Sequence, residues 1–508
     1  MTGFSKLRWL IFVAACLAAG LGAWRLATAT AGLTISHSEV AGTPVTVFAP
    51  EGGARAPVVV IAHGFAGSQQ LMQPFAITLA RSGFVAVTYD LLGHGRNPEA
   101  LAGNVMREDG ATANLVAELG RVADFARGLP GSDGRLAVLG HSMASDIAVR
   151  YAIAHPEVGA TVAVSMFSPV VTADAPRNLL VIVGSLEAGL RDEALRAVGL
   201  GAGGPAQDGV TYGSFADGSA RRAVFSDGVE HISVLYARES LAEARDWLIQ
   251  AFGQTQTGPV EARGLALALF FLGVIVIARF ASELLPRLAE RPVGCGLAWT
   301  RLAAVGVGAA IATPLLLWKA PVDFLPVPVA DYLSVHFLVF GLLTGIGLFL
   351  VGSGRRFDVL PVAWGKAVGS IAAATGFCLI AIYLPVDLFI TSFVPTPLRL
   401  PLVVVLTLCL LPYFLADEWL TRGETAPRGA YLFTKFCFVA SLAAAIALSP
   451  SRLFFLIIIT PVILAFFIIF GLISSWIYKR TGHPLVGAVT NAILFAWAIS
   501  VTFPILAS

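Results

Sequence analysis

The sequence predicts a fold in two parts, a mostly parallel β-sheet with helices on both faces and an all-α polytopic membrane domain. Between residues 31 and 260, short β-branched runs alternate with helical stretches, a pattern typical of a parallel sheet layered by helices. From residue 264 onward, apolar runs long enough to cross a bilayer follow one another almost continuously. With 56% hydrophobic and only 13% charged residues among 508, the composition lies outside the soluble range.

Four segments follow from this distribution. Residues 1–30 contain an apolar run that is either a membrane anchor or a cleaved signal segment, and its length favours the anchor. Residues 31–252 are the layered domain, 253–263 a polar linker, and 264–508 a membrane domain of eight spans. These spans are expected at 264–282, 301–318, 332–352, 365–391, 399–416, 432–448, 453–477 and 485–506.

The basic residues of the loops predict the orientation in the membrane. They concentrate in the loops after the second, fourth, sixth and eighth spans, counting the anchor as the first: Arg287 and Arg291, Arg355 and Arg356, Arg422 and Arg428, and Lys479 and Arg480. Because basic loops stay in the cytoplasm, we expect a cytoplasmic N-terminus and an extracytoplasmic layered domain in a bacterial-type inner membrane.

The layered domain shows its elements in alternation. Strands are predicted at 56–63, 84–90, 135–140, 160–166, 178–184 and 222–226. Helices are predicted near 69–82, 111–129 and 234–251, with another between the strands at 135–140 and 160–166. Right-handed crossovers would then connect the parallel strands.

One short motif carries chemistry. Gly140-His141-Ser142-Met143-Ala144 follows a predicted strand and opens a predicted helix. It resembles the nucleophile elbow of the α/β-hydrolases, G-x-S-x-G, with Ala144 in place of the last glycine. "HGFAGS" (63–68), "YDLLGHGRN" (89–97) and "DGVEHISV" (227–234) resemble the family's oxyanion loop, its D-x-x-G-H-G turn and its histidine loop, in the right order.

The resemblance implies a catalytic triad in the chain order Ser, acid, His. Ser142 would be the nucleophile and His231 the general base. The acid is expected after the strand at 178–184, where Glu187 fits by position with glutamate for the family's aspartate, and Asp192 is the runner-up. Asp227 lies too close to His231 in the sequence.

The resemblance also implies an oxyanion hole formed by the backbone N–H groups of Phe65 and Met143. Four further polar residues of these loops are expected to hold the loops by hydrogen bonds rather than to take part in catalysis: His63, Asp90, His94 and His141.

The expected activity is hydrolysis of carboxylic esters, without metal or organic cofactor. About eleven residues separate Met166 from Asn178, too few for the helical cap that many relatives insert there, so the site should be open or covered by another part of the chain. Expected partners are the bilayer and a lipid-like or small ester substrate. A net charge of +2 without a basic cluster argues against a nucleic acid, and the oligomeric state stays open.

Three other functions stay open: an acyltransferase, a transporter or scaffold, and a protease of the CAAX type. The same triad serves an acyltransferase, in which an alcohol replaces water, and the membrane domain could be a transporter or scaffold with an accessory hydrolase. "ADEWLTRG" (416–423) resembles the E-E-x-x-x-R motif of the CAAX-protease and bacteriocin-processing family, with Asp417 for the first glutamate and Glu418 for the second. Asn491 matches the family's final motif, but Gly487 replaces its histidine, so a degenerate relative or a generic helix bundle is expected.

Asp387 and His336 are further ionisable residues of the apolar region, and they lie near the outer ends of the predicted spans 365–391 and 332–352. Ionisable residues within spans are functional candidates by default, whereas those close to the interface simply meet water. Both interpretations of Asp387 stay open.

Overall fold

The computed structural model describes residues 2–103, 108–322, 324–351, 363–453 and 455–507. The chain divides into two compact units. The first comprises Met1–Ala19, Phe271–Pro385 and Val394–Phe503, and the second comprises Gly20–Phe270, Val386–Phe393 and Pro504–Ser508. The predicted cytoplasmic residues Arg355 and Arg356 lie outside the described residues.

The second unit is built on a nine-stranded sheet with the order β1-β2-β4-β3-β5-β6-β7-β9-β8. Its strands are β1 (Leu33–Val40), β2 (Thr43–Pro50), β3 (Ala56–Ala62), β4 (Val85–Tyr89), β5 (Ser132–His141), β6 (Val158–Val164), β7 (Leu179–Gly184), β8 (Thr211–Tyr212) and β9 (Arg221–Ser226). Strands β4, β3, β5, β6, β7 and β9 are parallel, which confirms the predicted sheet.

Helices cover both faces of this sheet. They are α2 (Gln73–Arg81), α3 (Ala113–Arg127), α4 (Met143–Ala154), α5 (Ala188–Ala202) and α6 (Arg238–Phe252). Val59 and Ile61 of β3 lie in one core with α2 and α6, whereas Val58 and Val60 lie in another core with α3 and α4. Because alternate side chains of a strand point to opposite faces, a strand covered on both sides is apolar throughout, and all seven residues of β3 are buried.

The sequence analysis missed the hairpin β1–β2, which forms the antiparallel edge of the sheet. Its register pairs Val40 with Thr43, so Ala41 and Gly42 form a two-residue loop, and both have positive φ angles of 48° and 87°. Such loops are usually recognised by Asn-Gly or Asp-Gly, and alanine at the first position hides the signal. In addition, most side chains of β1 are exposed, so this strand does not show the regular alternation of apolar and polar residues that is typical of a half-buried strand.

Two segments from the C-terminal half of the chain belong to the second unit, and they correct two predicted spans. The helical stretch at 365–391 ends at Phe389, and Val386–Phe393 packs with the layered unit. The last predicted span, 485–506, ends as a helix at Thr502. Beyond it, Ile505 donates its N–H to the Gly93 carbonyl oxygen at 2.9 Å, and Leu101 donates to the Ile505 carbonyl oxygen at 2.8 Å. Hydropathy alone could not show these ends, because both segments continue an apolar run.

The first unit is helical. With the N-terminal helix α1 (Thr2–Ala27), the described residues contain nine helices long and apolar enough to cross a membrane, which confirms a helical C-terminal region rich in apolar helices. The helices of the C-terminal region are α7 (Gly264–Ala281), α8 (Trp299–Leu317), α9 (Ala330–Val351), α10 (Trp364–Cys378), α11 (Leu384–Phe389), α12 (Leu400–Thr421), α13 (Ala430–Leu448), α14 (Pro450–Leu453), α15 (Phe455–Thr481) and α16 (Leu485–Thr502). The short helix α14 is not one of the nine. Helices α10 and α11 are joined by a π-helical turn at Leu379–Tyr383 into one span.

A buried carboxyl group lies beneath the loop after β4. Glu118 of α3 is fully buried and accepts hydrogen bonds from Thr43 Oγ1 at 2.7 Å, from Leu92 N at 2.9 Å and from Asn97 Nδ2 at 3.1 Å. These three donors favour the ionised form, but burial opposes it more strongly and raises the pKa of Glu118 from 4.5 to about 7.

We therefore expect Glu118 to make folding stability depend on pH. A carboxyl group whose pKa is raised by folding stabilises the native state below its unfolded pKa, and this contribution disappears as the pH rises through the folded pKa. The loss between pH 4.5 and about 7 corresponds to about 3 kcal/mol. Glu118→Gln cannot ionise, so the melting temperature of the wild type in detergent should fall relative to that of the variant over this range.

The matched control is Glu39→Gln, since Glu39 is exposed on β1. The difference in melting temperature between this control and the wild type should not change with pH. A Glu118→Gln difference that is equally constant from pH 4.5 to 8 would contradict the expectation.

Candidate active site

Ser142 lies on a strained turn at the carboxyl end of β5. Its φ and ψ angles are 55° and −122°, a region that a residue with a side chain rarely adopts, at a cost of about 1–3 kcal/mol. The Ser142 N–H donates to the Val164 carbonyl oxygen of β6 at 2.8 Å, and the Ser142 carbonyl oxygen accepts from Ser145 N at 2.9 Å. These bonds and the start of α4 at Met143 hold the side chain at the sheet edge.

The small residues around Ser142 are required by space. A Cβ on Gly140 would overlap the carbonyl oxygen of Ala144, because the chain folds back on itself between β5 and α4. Ala144 is fully buried, and its methyl group fits where the family's pattern has glycine. The backbone therefore has the close approach that the G-x-S-x-A sequence predicted.

A hydrogen-bond chain joins the three residues proposed from the sequence as the triad. His231 Nε2 lies 2.9 Å from Ser142 Oγ, and His231 Nδ1 lies 2.6 Å from Glu187 Oε1. The Glu187 side chain is only 6% exposed, whereas that of His231 is 24% exposed. In the neutral imidazole one nitrogen donates and the other accepts, so a donor bond from Nδ1 to the carboxylate leaves Nε2 to accept from Ser142.

The parallel sheet brings these residues together. Ser142 follows β5, Glu187 follows β7 and His231 follows β9, and the carboxyl ends of parallel strands meet at one edge of the sheet. A Cβ on Gly184 would overlap the carbonyl oxygen of Val229, so the loops after β7 and β9 are in direct contact. That contact places Glu187 beside His231 although 44 residues separate them.

The second carboxylate oxygen of Glu187 also accepts hydrogen bonds. Oε2 accepts from Gly184 N at 2.7 Å and from Ser165 Oγ at 2.7 Å. Asp192, the runner-up acid, lies exposed on α5, and Asp227 is exposed in the histidine loop. Sequence reasoning missed Ser165, which has a φ angle of 51° directly after β6. A single serine after a strand gives no signal of its own, because its role depends on the register of β6 against β7.

The loop after β3 lies directly against the nucleophile. A Cβ on Gly64 would come within 2.8 Å of Ser142 Cβ, so only glycine allows this approach. The next residue is Phe65, one predicted oxyanion donor, which is half-buried. The other, Met143, is the first residue of α4, where backbone N–H groups lack intrahelical partners. Both predicted donors thus lie on segments next to Ser142.

The other polar residues of the loops bond mainly to backbone. His141 Nε2 lies 2.9 Å from the His231 carbonyl oxygen. Burial, reinforced by the neighbouring His231, lowers the pKa of His141 to about 3, so its ring stays neutral and donates from Nε2 at physiological pH. His63 Nε2 accepts from Leu91 N at 3.1 Å, and burial lowers the pKa of this histidine as well. His94 Nδ1 lies 2.9 Å from the Leu92 carbonyl oxygen.

Large apolar side chains are exposed in the loops that carry the site. Leu186, directly before Glu187, is 66% exposed, and Ile232, directly after His231, is 38% exposed. Phe167, in the loop after β6, is 65% exposed. That loop runs from the end of β6 to Leu179 without a helix or strand, so it carries no cap of the kind many relatives have. These three side chains are called the apolar rim below.

The residues that resemble the CAAX-protease motif form ion pairs inside the first unit. Asp417 pairs with Lys435, and Glu418 pairs with Arg422 at 2.8 Å and accepts from Ser474. Gly487 lies against Ser474, which donates to Glu418, so the position where the family's final motif has a histidine carries no side chain here. The resemblance stays a prediction, and the ion pairs account for these charges without a reaction.

Comparison with known proteins adds the family. Residues 53–194 match the family model of the S33 serine aminopeptidases. Together with the parallel sheet, this match places the layered unit in the α/β-hydrolase superfamily and makes it a hydrolase domain. Comparison with curated proteins finds no match.

Several solved structures resemble part of the chain. An epoxide hydrolase mutant from Vigna radiata is 22% identical, with 27% of this chain and 40% of that chain covered and a TM-score of 0.22. A membrane phospholipase A described as a bacterial virulence factor is 15% identical, with 47% of this chain and 92% of that chain covered and a TM-score of 0.31. A protein described as a dienelactone hydrolase from Klebsiella pneumoniae subsp. pneumoniae MGH 78578 is 18% identical, with 44% of this chain and 99% of that chain covered and a TM-score of 0.32. This chain spans about two-fifths of the epoxide hydrolase's length.

The position of Glu187 generates a prediction about the acid. Glu187→Gln should lower kcat for hydrolysis of p-nitrophenyl butyrate by about 10⁴-fold, because an amide stabilises neither the required tautomer nor the imidazolium. Glu187→Asp keeps the charge on a shorter side chain and should retain more activity than the glutamine variant. Asp192→Asn is the control and should stay within twofold of the wild type. A severe loss in Asp192→Asn with an active Glu187→Gln would reverse the assignment.

Proposed function

We propose that this chain is a membrane-anchored serine hydrolase that cleaves carboxylic esters with Ser142, His231 and Glu187. The observation that carries the proposal is the continuous hydrogen-bond chain from Ser142 Oγ through both nitrogens of His231 to Glu187. A nucleophile bonded to a base, which is oriented by a third group, is the arrangement that nucleophilic catalysis requires.

The mechanism follows from this geometry. Ser142 Oγ attacks the substrate carbonyl carbon while its proton passes to His231 Nε2. Glu187 Oε1 accepts from Nδ1–H, which orients the ring and stabilises the imidazolium. Collapse of the tetrahedral intermediate transfers the proton from Nε2 to the leaving alcohol. Water, deprotonated by His231, then attacks the acyl-enzyme, and the acid product leaves with Ser142 restored.

The N–H groups of Phe65 and Met143 are proposed as the oxyanion donors. Two observations support this: Gly64 packs against Ser142, and Met143 begins α4, whose N-terminus favours negative charge. Each such donor contributes about 3–4 kcal/mol to transition-state stabilisation in comparable hydrolases.

The apolar rim supports an ester with a hydrophobic acyl chain as the substrate class. Leu186 and Ile232 directly adjoin the proposed acid and base, so an acyl chain extended from the acylated Ser142 can cover them. Covering exposed apolar surface is favourable by about 25 cal/mol per Å². Because the chain also carries nine apolar helices in its described residues, we propose that membrane lipids supply this ester.

The proposed location is an inner membrane of bacterial type, with the hydrolase domain outside the cytoplasm. The support is the bias of basic residues towards alternate connections, such as Arg422 and Arg428 between α12 and α13, and Lys479 and Arg480 in the last turn of α15.

The first experiment is labelling of isolated membranes with a fluorophosphonate probe. The wild-type protein should be labelled and Ser142→Ala should not, because the probe reacts only with an activated serine. Ser145→Ala is the matched control, since Ser145 lies three residues away and its hydroxyl group bonds only the Ser142 carbonyl oxygen. No labelling of a well-folded wild type, or equal labelling of Ser142→Ala, would contradict the proposed function.

The same preparation tests the substrate class with p-nitrophenyl esters of increasing acyl length. The proposed lipid acyl substrate predicts that kcat/KM rises from two to eight or more carbons, by about tenfold for each two methylenes that become buried. A maximum at acetate would indicate a small ester instead. Transfer of the acyl group to an added alcohol in preference to water would identify an acyltransferase.

The proposed orientation is tested with single cysteines and a membrane-impermeant maleimide. Glu51→Cys lies in an exposed turn after β2, and Arg428→Cys lies in the loop before α13. In spheroplasts, Glu51→Cys should react and Arg428→Cys should react only after permeabilisation. The wild type with its five native cysteines provides the background. The opposite labelling pattern would place the hydrolase domain in the cytoplasm.

A further inference from the structure

The segment Val386–Phe393 reaches the hydrolase sheet from a distant part of the chain. It contains the end of α11 and the residues that follow it, and it belongs to the same compact unit as the loops that it contacts. Its contacts are with Ser68, which ends the proposed oxyanion loop 63–68, and with Arg96 in the loop after β4, at separations of 291 to 324 positions along the chain.

The first contact is centred on Ser68, which is almost fully buried. Ser68 Oγ accepts a hydrogen bond from Ser392 N at 2.7 Å and lies 2.9 Å from Thr391 Oγ1. It donates in turn to Gln70 Oε1 at 2.8 Å. With its own hydrogen committed to Gln70, Ser68 can only accept from the Thr391 hydroxyl group. The distant segment thus fills both acceptor positions of the residue that ends the loop 63–68.

The second contact is the ion pair between Asp387 and Arg96. Arg96 Nη2 donates to Asp387 Oδ2 at 2.5 Å, and Asp387 Oδ1 accepts from Phe393 N at 2.7 Å. The Asp387 side chain is only 3% exposed, whereas that of Arg96 is 44% exposed. Without Arg96 the Asp387 carboxylate would be a buried charge that has lost its counter-ion, which is destabilising. The Asp387 carboxylate therefore bonds both to a backbone N–H of its own segment and to the loop after β4.

The two contacts are joined through Asp90. Arg96 N donates to Asp90 Oδ2 at 3.1 Å, and Asp90 Oδ1 accepts from Gln69 N at 2.8 Å. Since Gln69 follows Ser68, the bonds form a closed ring from Asp387 through Arg96, Asp90, Gln69 and Ser68 back to the segment at Ser392 and Thr391. A ring of bonds restrains its members more than separate pairs do.

This ring bears on catalysis through the loop that it holds. Residues 64 and 65 precede Ser68 by only a few positions, and Gly64 is packed against Ser142. Displacing a donor by about 1 Å from its working position can cost about 100-fold in rate. We infer that Val386–Phe393 is a positioning segment for the oxyanion loop, with Asp387 and Thr391 as its positioning residues. The inference rests on the proposed ester hydrolysis by Ser142.

Purified full-length variants test the inference. Thr391→Val keeps the side-chain shape but removes the hydroxyl group, and Thr391→Ser keeps the hydroxyl group. The valine variant should lower kcat by about 10-fold with KM within twofold, whereas the serine variant should recover most of the rate. Asp387→Asn should lower kcat by about 10-fold to 100-fold. The matched control is Thr407→Val, because Thr407 is also half-buried and, within the described part of the chain, its hydroxyl group bonds only the Val403 carbonyl oxygen of its own helix.

Hydrogen exchange of the peptide covering 63–72 is measured on the same proteins, because it does not depend on activity. Exchange should be faster in Thr391→Val and Asp387→Asn than in Thr407→Val and the wild type. Unchanged exchange, or faster exchange with an unchanged kcat, would overturn the inference. An inactive, unlabelled wild type whose exchange still responds to the variants would overturn the proposed ester hydrolysis and support the restraint on the loop.

Discussion

The backbone of Ser142 is held at a positive φ angle, and the arrangement of the hydrolase domain depends on this constraint. The turn projects the hydroxyl group from the end of β5 towards His231 and forces Gly140 and Ala144 into contact. A strained turn of this kind persists only where the surrounding structure over-determines it. Here the determinants are the bond from Ser142 N to β6, the start of α4, and the packing of both elements in continuous apolar cores.

The parallel sheet brings the other residues of the proposed site next to this strained turn. Adjacent strands β5, β6, β7 and β9 end at one edge and are followed by Ser142, Ser165, Glu187 and His231, respectively. Ser165 bonds Glu187, Glu187 bonds His231, and His231 bonds Ser142. The buried Glu187 carboxylate satisfies its lone pairs with three donors of different loops. The geometry of the proposed triad is therefore a property of strand order and register, and the loops need only be short and closely packed.

The hydrolase unit also uses residues far along the chain. Val386–Phe393 bonds to Ser68 and Arg96, and Ile505 pairs with Gly93 and Leu101. Both segments adjoin apolar helices, so the chain that carries the helices also completes the loops around the proposed site. The hydrolase unit therefore includes, besides its own sheet and helices, two short segments that come directly before or after apolar helices in the chain.

The sequence alone predicted the class of fold, the alternating elements from β3 to β7, the elbow around Ser142 and the candidates His231 and Glu187. It could do so because these features are local: a β-branched run, a small-residue turn, and a strand followed by a polar residue. It did not reveal the β1–β2 hairpin, whose turn has alanine where asparagine is usual, nor Ser165, nor the role of Asp387.

Only the three-dimensional structure shows that Glu187, and not Asp192, bonds His231, because the packing of the loops after β7 and β9 selects which carboxylate faces this histidine. It also decided the partner of Asp387. An aspartate near the end of an apolar run can meet water or bind a charge, and the choice depends on Arg96, 291 residues away. Such contacts follow from how strands and loops are brought together in space, and no pattern of neighbouring residues contains them.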